Sequence, residues 1–579
     1  MAIYDTIIKG GTIFDGTRGP RFSGDIGIRD GLINHIDRDG KLDPATADKV
    51  IDATGLNVCP GFVDLHTHYD AQIQWDPYAT LSGWHGVTSI VLGNCGFGFA
   101  PIAPELRERA MLMMSRVEAI PMESMRTGMK WEWESFPEWL DFLDRAPLGV
   151  NVLSYVPISP IMITVMGLDE AKKRDATPAE TVEMCRLLDE ALEAGACGWS
   201  AQRLGKDQYS VQRDYDGTPM VTDTMSDDLC MAFAEVIGKR GEGNIQLTQV
   251  NNYHFIEQLA RTSGQPLIFN AIASNDYRPH SFRELIQWVE GCQANGSPVW
   301  GQAAVVGNDE YFMLADYNLL DGTDAWRAIT LGTVAERIEQ MQKPENRAAL
   351  REHYDHGRTP IVTGPVSKFV IKLAVNPENK KYEGKTIVEA GEMMGKHPMD
   401  AMLDIAVSEN LQTTFYHEAY NTNKGHAKEI LDCEYAIPGV SDGGAHTKYI
   451  TIGRYTTEFI ARSVREDALV SLEEAHYRLS AMPAKCAGFK DRGTLVEGAP
   501  ADILVYDYKN LNVTPDEPVI VHDFPANEWR RVQYAEGYRY IMVNGTVTFI
   551  DGECTGATPG QLLRHGQGKA VTGQQIRSA

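Results

Sequence analysis

The chain has 579 residues, of which 43% are hydrophobic and 9% aromatic. That composition belongs to a soluble globular protein, and the length exceeds one ordinary core, so a large domain with a smaller companion is expected. Against 54 Lys and Arg stand 79 Asp and Glu, a formal net charge of −25, which argues against nucleic acid and anionic membrane as partners.

The first residues, Met1 to Thr6, lack a basic region followed by an apolar stretch, and no window of about 18 apolar residues occurs, so neither a secretory signal nor a transmembrane helix is expected. The nine cysteines are scattered and odd in number, which suits a reducing cytoplasm.

Residues 1 to about 60 read as short strands at 5–9, 12–14, 25–28 and 32–36, with Gly10-Gly11, Asp15-Gly16 and Asp30-Gly31 as turns. Similar material returns at 501–507 and 540–548. Neither half closes alone, so residues 1–60 and 490–579 are joined into one small β-sandwich built from both chain ends. Residues 559–579 are rich in Gly, Gln and Lys and read as a loose tail.

Between them, over 61–489, strand-like apolar runs alternate with amphipathic helical segments, the pattern of an α/β (β/α)8 TIM-type barrel. After a first strand at 61–68 come runs at 88–92, 150–156, 197–200, 245–250, 266–270, 299–303 and 435–441. Thr177 and Pro178 predict the N-cap and first turn of a helix running through Leu192. About 100 residues, 310–410, exceed what one crossover needs; they hold a charged segment at 347–358 and a helix over 387–410. In such barrels the chemistry sits at the carboxyl ends of the strands.

The first strand, Gly61-Phe62-Val63-Asp64-Leu65-His66-Thr67-His68, puts Asp64, His66 and His68 on one face. Two imidazoles then converge on one point, a geometry suited to a divalent metal such as zinc. A bare His-x-His is more often an accident of alternation. With Pro60-Gly61 before it and the preceding stretch from Ile51, however, this segment resembles the opening barrel strand of the metal-dependent amidohydrolase superfamily.

After the second strand, Gly93-Asn94-Cys95-Gly96-Phe97-Gly98 lets the backbone turn sharply beside a cysteine. The setting resembles the D-aminoacylase branch, the N-acyl-D-amino-acid deacylases, in which the matching cysteine is a zinc ligand; the resemblance implies that role for Cys95. Ser441-Asp442-Gly443-Gly444 ends the last strand. Alone it reads as a turn, but the superfamily's aspartate at this point binds metal and takes the proton from the attacking water, so Asp442 is expected as ligand and general base. The likeness to this branch continues through 178–200, 384–387, 399–404, 472–475, 482–484 and 491–495.

Four departures stand against it. The histidine after strand three is replaced by Pro157-Ile158-Ser159-Pro160, that of strand five by Thr248-Gln249-Val250-Asn251-Asn252, and that of strand six by Phe269-Asn270-Ala271-Ile272. The carboxylate-holding arginine after the aspartate has only Thr447, Lys448 and Arg454 nearby. Neutral amides are poor zinc ligands, so His66, His68, Cys95 and Asp442 are expected to hold one Zn2+ rather than two. His254, His280, His417 and His426 are refill candidates, each more readily a surface or packing histidine.

Substrate contacts are expected from Arg203, Gln249, Asn270, His446 and Lys448. Arg203 either clamps a carboxylate or pairs with an acid of its own chain. Trp84, Trp199 and Trp300 either line an apolar pocket or pack. The resemblance implies a metal-dependent hydrolase of a linear, non-peptide amide bond in a small molecule, most like an N-acyl-D-amino-acid deacylase. The alternatives are a hydrolase of another amide, cyclic amide, carbamate or ester, a catalytically silent binding or assembly module, and a non-hydrolytic metal lyase acting on a carboxylated substrate; homo-oligomer formation stays open.

Overall fold

The computed structural model describes residues 2–205, 212–249, 251–276, 278–316, 320–357 and 364–565. Parallel strands occur at all eight expected places. Phe62–Asp64, Val87–Leu92 and Asn151–Ser154 pair in that order. A second run pairs Val156–Pro157, Gly198–Arg203, Asn244–Gln249, Leu267–Ile272, Val299–Ala303 and Ala436–Pro438. Only Tyr155 separates the two runs on one side. On the other, Thr67 bridges in parallel to Gly443, and the His68 N–H donates to the Gly443 carbonyl at 2.7 Å. Nearly every residue of these strands is buried, which is why they read as apolar runs without alternation. The Thr177 N-cap holds: helix Pro178–Ala194 opens with a Thr177/Glu180 capping box and stops at Gly195, whose φ of 116° a side chain would resist.

Strands from both chain ends share one nine-stranded sheet, in which Asn57–Pro60 lies between Tyr4–Ile13 and Ile503–Tyr506. Its apolar face gathers Ile8, Ile26, Ile33, Val58, Ile503 and Met542 into a separate core. Nine strands from the two chain ends pair as one branched sheet, and Asn512–Val521 pairs with Arg530–Glu536 in a separate two-stranded one. The branch point is Tyr4–Ile13, whose first half pairs with Ala47–Asp52 and second half with Asn57–Pro60. Gly10-Gly11 is therefore a bulge inside one ten-residue strand, not a turn. Asp25 Oδ1 accepts the Gly10 N–H at 2.8 Å, supplying the partner the bulge removes from the ladder.

The insertion builds its own unit. Asn308–Phe312, Val370–Leu373 and Thr414–Tyr420 form an antiparallel sheet packed on helices around Trp326, Phe369 and Phe415. The helix expected over 387–410 is two, Ile387–Met394 and Pro398–Ser408. Gly395 at φ 64° ends the first and Pro398 opens the second, as those residue types do. Residues 559–565 are not loose: Pro559 and Leu562 bridge to Leu148 and Val152, and Arg564 pairs with Asp141 and Asp144. Residues 358, 250 and 566–579 of the expected segments lie outside the described residues. No helix among the described residues is long and apolar enough to cross a membrane.

Candidate active site

The first parallel strand ends at Asp64, so His66 and His68 ride on extended chain just beyond it rather than within the strand. Side chains replace the ladder there. Thr67 Oγ1 donates to the Val91 carbonyl at 2.8 Å, Asn94 Nδ2 to the Thr67 carbonyl at 3.1 Å, and Ser441 Oγ to the His66 carbonyl at 2.9 Å.

After the second strand, Cys95 takes a left-handed φ of 56° between Gly93 and Gly96. Its N–H donates to Gln246 Oε1 at 2.7 Å, and the Gly96 N–H donates to Ser200 Oγ at 2.9 Å. This aims the sulfur at the histidines: Cys95 Sγ lies 3.3 Å from His66 Nε2. The donor atoms of His66, His68 and Cys95 lie within 4.8 Å of one another, all buried. Asp442, at φ 46° after the last strand, brings Oδ1 to 3.2 Å from His66 Nε2 and 3.9 Å from His68 Nε2. His66 Nδ1 lies 3.1 Å from Gln302 Oε1; donating there leaves the Nε2 lone pair facing Cys95 and Asp442.

Two nitrogens, a sulfur and a carboxylate oxygen are zinc's preferred donors, and these four residues fit a divalent metal. The electrostatics agree. Burial pushes the Cys95 thiol well up, and the Glu118 charge adds to it. Burial pushes His68 well down, helped by His66 and His446. Asp64 and Asp70 are each pushed up to about 7, chiefly by burial. A dication held by these residues would relieve the penalty on the Cys95 thiolate, and it needs His68 neutral.

Sequence reasoning missed Glu118, Gln302, Gln246 and Thr248. Glu118 caps the end of helix Arg107–Val117 and is 1% exposed; its one signal was a charge inside the apolar run Val117 to Ile120. Gln302 and Gln246 lie mid-strand, where a polar residue flanked by apolar ones marked an inward-facing group.

Asn270 lies beside the site: its amide touches His66 Nδ1 and comes 3.4 Å from His66 Nε2. Thr248, its register partner, comes 3.4 Å from Cys95 Sγ. His446 is buried, with Nε2 3.2 Å from Glu118 Oε2 and Nδ1 3.2 Å from Tyr449 Oη. Arg203 pairs with Asp227 at 2.6 Å and reaches Gln249 Oε1 at 3.3 Å. Gln249 in turn donates to the Asn251 carbonyl. Lys448 stands 3.6 Å from Asp316 and 3.5 Å from Glu528. Trp84, Trp199 and Trp300 pack on Tyr534, Phe233 and Tyr435. Of the refill candidates, His254 contacts Gln258, His426 contacts Asp276, and His417 packs on Phe369. His280 is exposed. Among the described residues, the cluster of His, Cys, Asp and Glu donors all within 4.8 Å of one another is His66, His68 and Cys95, with Asp442 and Glu118 at its edge.

A parallel α/β fold carrying this donor set at its strand ends defines a metal-dependent hydrolase. The amidohydrolase family model matches residues 49–549. The chain belongs to that family, whose members hydrolyse carbon–nitrogen bonds other than peptide bonds. It is 29% identical to the uncharacterized protein Rv2913c of Mycobacterium tuberculosis, over 99% of this chain and 96% of that one. It is 25% identical to the N-acyl-D-aspartate deacylase of Alcaligenes xylosoxydans xylosoxydans, over 97% and 95%. Among solved structures, a D-aminoacylase described as having a binuclear metal centre superposes with a TM-score of 0.65 at 22% identity, covering 97% of this chain and 100% of that one. The N-acyl-D-glutamate deacylase of Bordetella bronchiseptica, complexed with zinc and a phosphonate inhibitor, gives 0.65 at 21% identity over 97% and 99%.

Proposed function

We propose that this protein is a zinc amidohydrolase that removes the acyl group from an N-acyl amino acid, most like the N-acyl-D-amino-acid deacylases. In this reading the eight parallel strands close as a (β/α)8 barrel over about 61–489, and the site lies at its mouth. One observation carries the reading: His66, His68 and Cys95 bring buried donors within 4.8 Å of one another, and Asp442 Oδ1, from a third strand end, stands 3.2 Å from His66 Nε2. Thr248 and Asn270 stand where a second ion would need histidines, which favours one zinc. The nine unpaired cysteines support a reducing compartment such as the cytoplasm.

When bound, zinc supplies Lewis acidity to the attacking water and to the amide carbonyl. The chain's own groups do the rest. Gln302 orients His66. The Asp442 side chain is 24% exposed, whereas His66 and His68 are 2% and 1%, so it is the ligand that faces incoming water. Its carboxylate takes the proton from that water and hands it to the departing nitrogen. His446, on the same loop, has its ring nitrogens against Glu118 Oε2 and Tyr449 Oη, so it positions Glu118 rather than the substrate.

A second reading of the substrate rests on the cations. Arg203 is committed to Asp227, and Lys448 stands between two carboxylates, so neither is a ready clamp for an acidic substrate. That favours a neutral amide, cyclic amide, carbamate or ester. The experiment is a screen of zinc-loaded enzyme on N-acyl-D- and N-acyl-L-amino acids, cyclic amides, carbamates and esters. Turnover of N-acyl-D-amino acids supports the first reading; turnover only of uncharged substrates replaces it with the second. Activity unchanged by chelation refutes both.

A further inference from the structure

We propose that Glu118 is an additional ligand of the metal centre, supplying the donor that the strand-five and strand-six positions, Thr248 and Asn270, do not. The inference rests on the metal-site reading above and adds a residue to it.

Glu118 is 1% exposed, and neither carboxylate oxygen receives a hydrogen bond from the described residues. Leaving an ionised carboxylate in such a place costs several kcal/mol unless a cation compensates it. Its position makes this worse. Glu118 sits at the C-terminal cap of helix Arg107–Val117, its N–H closing on the Met114 carbonyl, where the helix dipole disfavours an anion.

The surroundings point to the metal as the missing partner. Oε1 lies 3.8 Å from His68 Nε2, and Asp442 Oδ1 lies 3.9 Å from the same nitrogen. Ligand atoms about 2.0–2.2 Å from one ion stand roughly 3–4 Å from each other, so both oxygens are at ligand-to-ligand spacing from His68. Once His68 Nε2 is committed to a metal it has no proton for Oε1, and the ion becomes the partner of that oxygen. The other oxygen, Oε2, faces His446 Nε2 at 3.2 Å, and the His446 N–H donates to the Glu118 carbonyl at 2.6 Å. Glu118 thereby ties the loop after the last strand to the metal site.

The test is Co2+ binding to metal-free wild type, E118Q, H446N and C95S, read by chelator competition and by the thiolate-to-cobalt charge-transfer band. Wild type is expected to bind one Co2+ with that band, and C95S to lose the band. E118Q is expected to bind at least tenfold more weakly while keeping it, and H446N to bind more weakly than wild type and keep it too, since the partner of a ligand is itself worth roughly 10–100-fold in affinity. E118Q affinity within twofold of wild type, with C95S weakened, overturns the Glu118 assignment and leaves the centre standing. A wild type that binds no Co2+ overturns the centre itself. A zinc-loaded wild-type crystal decides the matter without any variant: a Glu118 oxygen at about 2.0–2.2 Å from the ion supports the assignment, and one beyond about 3 Å refutes it.

Discussion

Asp442→Asn separates the roles assigned to this carboxylate with almost no change in shape. The amide cannot accept the water's proton, so kcat at saturating metal should fall by 10²–10⁴, the usual worth of general-base catalysis, or about 3–5 kcal/mol of transition-state stabilisation. Stability should move the other way in metal-free protein. Asp442 Oδ1 and Glu118 Oε1 flank one nitrogen at 3.9 and 3.8 Å, so they are no more than about 8 Å apart. Burial, and next the Asp442 charge, push the Glu118 carboxyl well up; at an effective dielectric near 20 that charge costs an ionising Glu118 at least about 2 kcal/mol, and Asp442→Asn removes it. The assay is steady-state kinetics at several Zn2+ concentrations beside thermal melts of metal-free and zinc-loaded protein. The metal-free melt should rise in the variant, and the gain conferred by zinc should shrink. A variant that keeps a third of wild-type kcat at saturating zinc would remove Asp442 from proton transfer.

Three further outcomes follow from the same geometry. Replacing both Thr248 and Asn270 with histidine puts one imidazole beside Cys95 and one beside His66, so metal analysis should rise from one ion per chain to two; an unchanged stoichiometry would mean these positions do not face the centre. Cys95→Ala should cut zinc affinity by tenfold or more with the fold intact by circular dichroism, and unchanged affinity would confine Cys95 to packing. His85 and His476 are buried and held down to about 3, chiefly by burial, so the unfolded chain takes up their protons first, near pH 6.5. Stability from these groups is therefore full above about pH 6.5 and declines as pH falls toward 3, each contributing up to about 1.4 kcal/mol per pH unit. Denaturation midpoints between pH 7.5 and 5 should fall less in His85→Asn than in wild type; equal slopes would refute this account.

Local patterns were legible where a residue's neighbours in sequence are also its neighbours in space. The eight apolar runs became the eight parallel strands because strands buried on both faces need little beyond their own content. Thr177, Pro178 and Glu180 set a helix start within one turn. Where two chemistries share one residue type, sequence alone misjudged: Gly10-Gly11 and Asp30-Gly31 look alike, but only the second is a hairpin turn, because Asp25 from a neighbouring strand meets the Gly10 N–H. Gly395 and Pro398, by contrast, carried a readable helix break inside 387–410 that the apolar content around them masked.

The amino-acid order by itself determined that this chain carries a histidine pair, a glycine-flanked cysteine and a turn aspartate at the ends of parallel strands, because each of these is a motif a few residues long. Only the tertiary structure decided what meets what. Cys95 and Asp442 are separated by most of the chain, yet they converge on the same two imidazoles. Glu118 reaches them from a helix end with no motif around it, and Arg203 is already engaged by Asp227. Such encounters depend on how strands pair and where helices stop, and a buried charge reveals its purpose only once its neighbours are known.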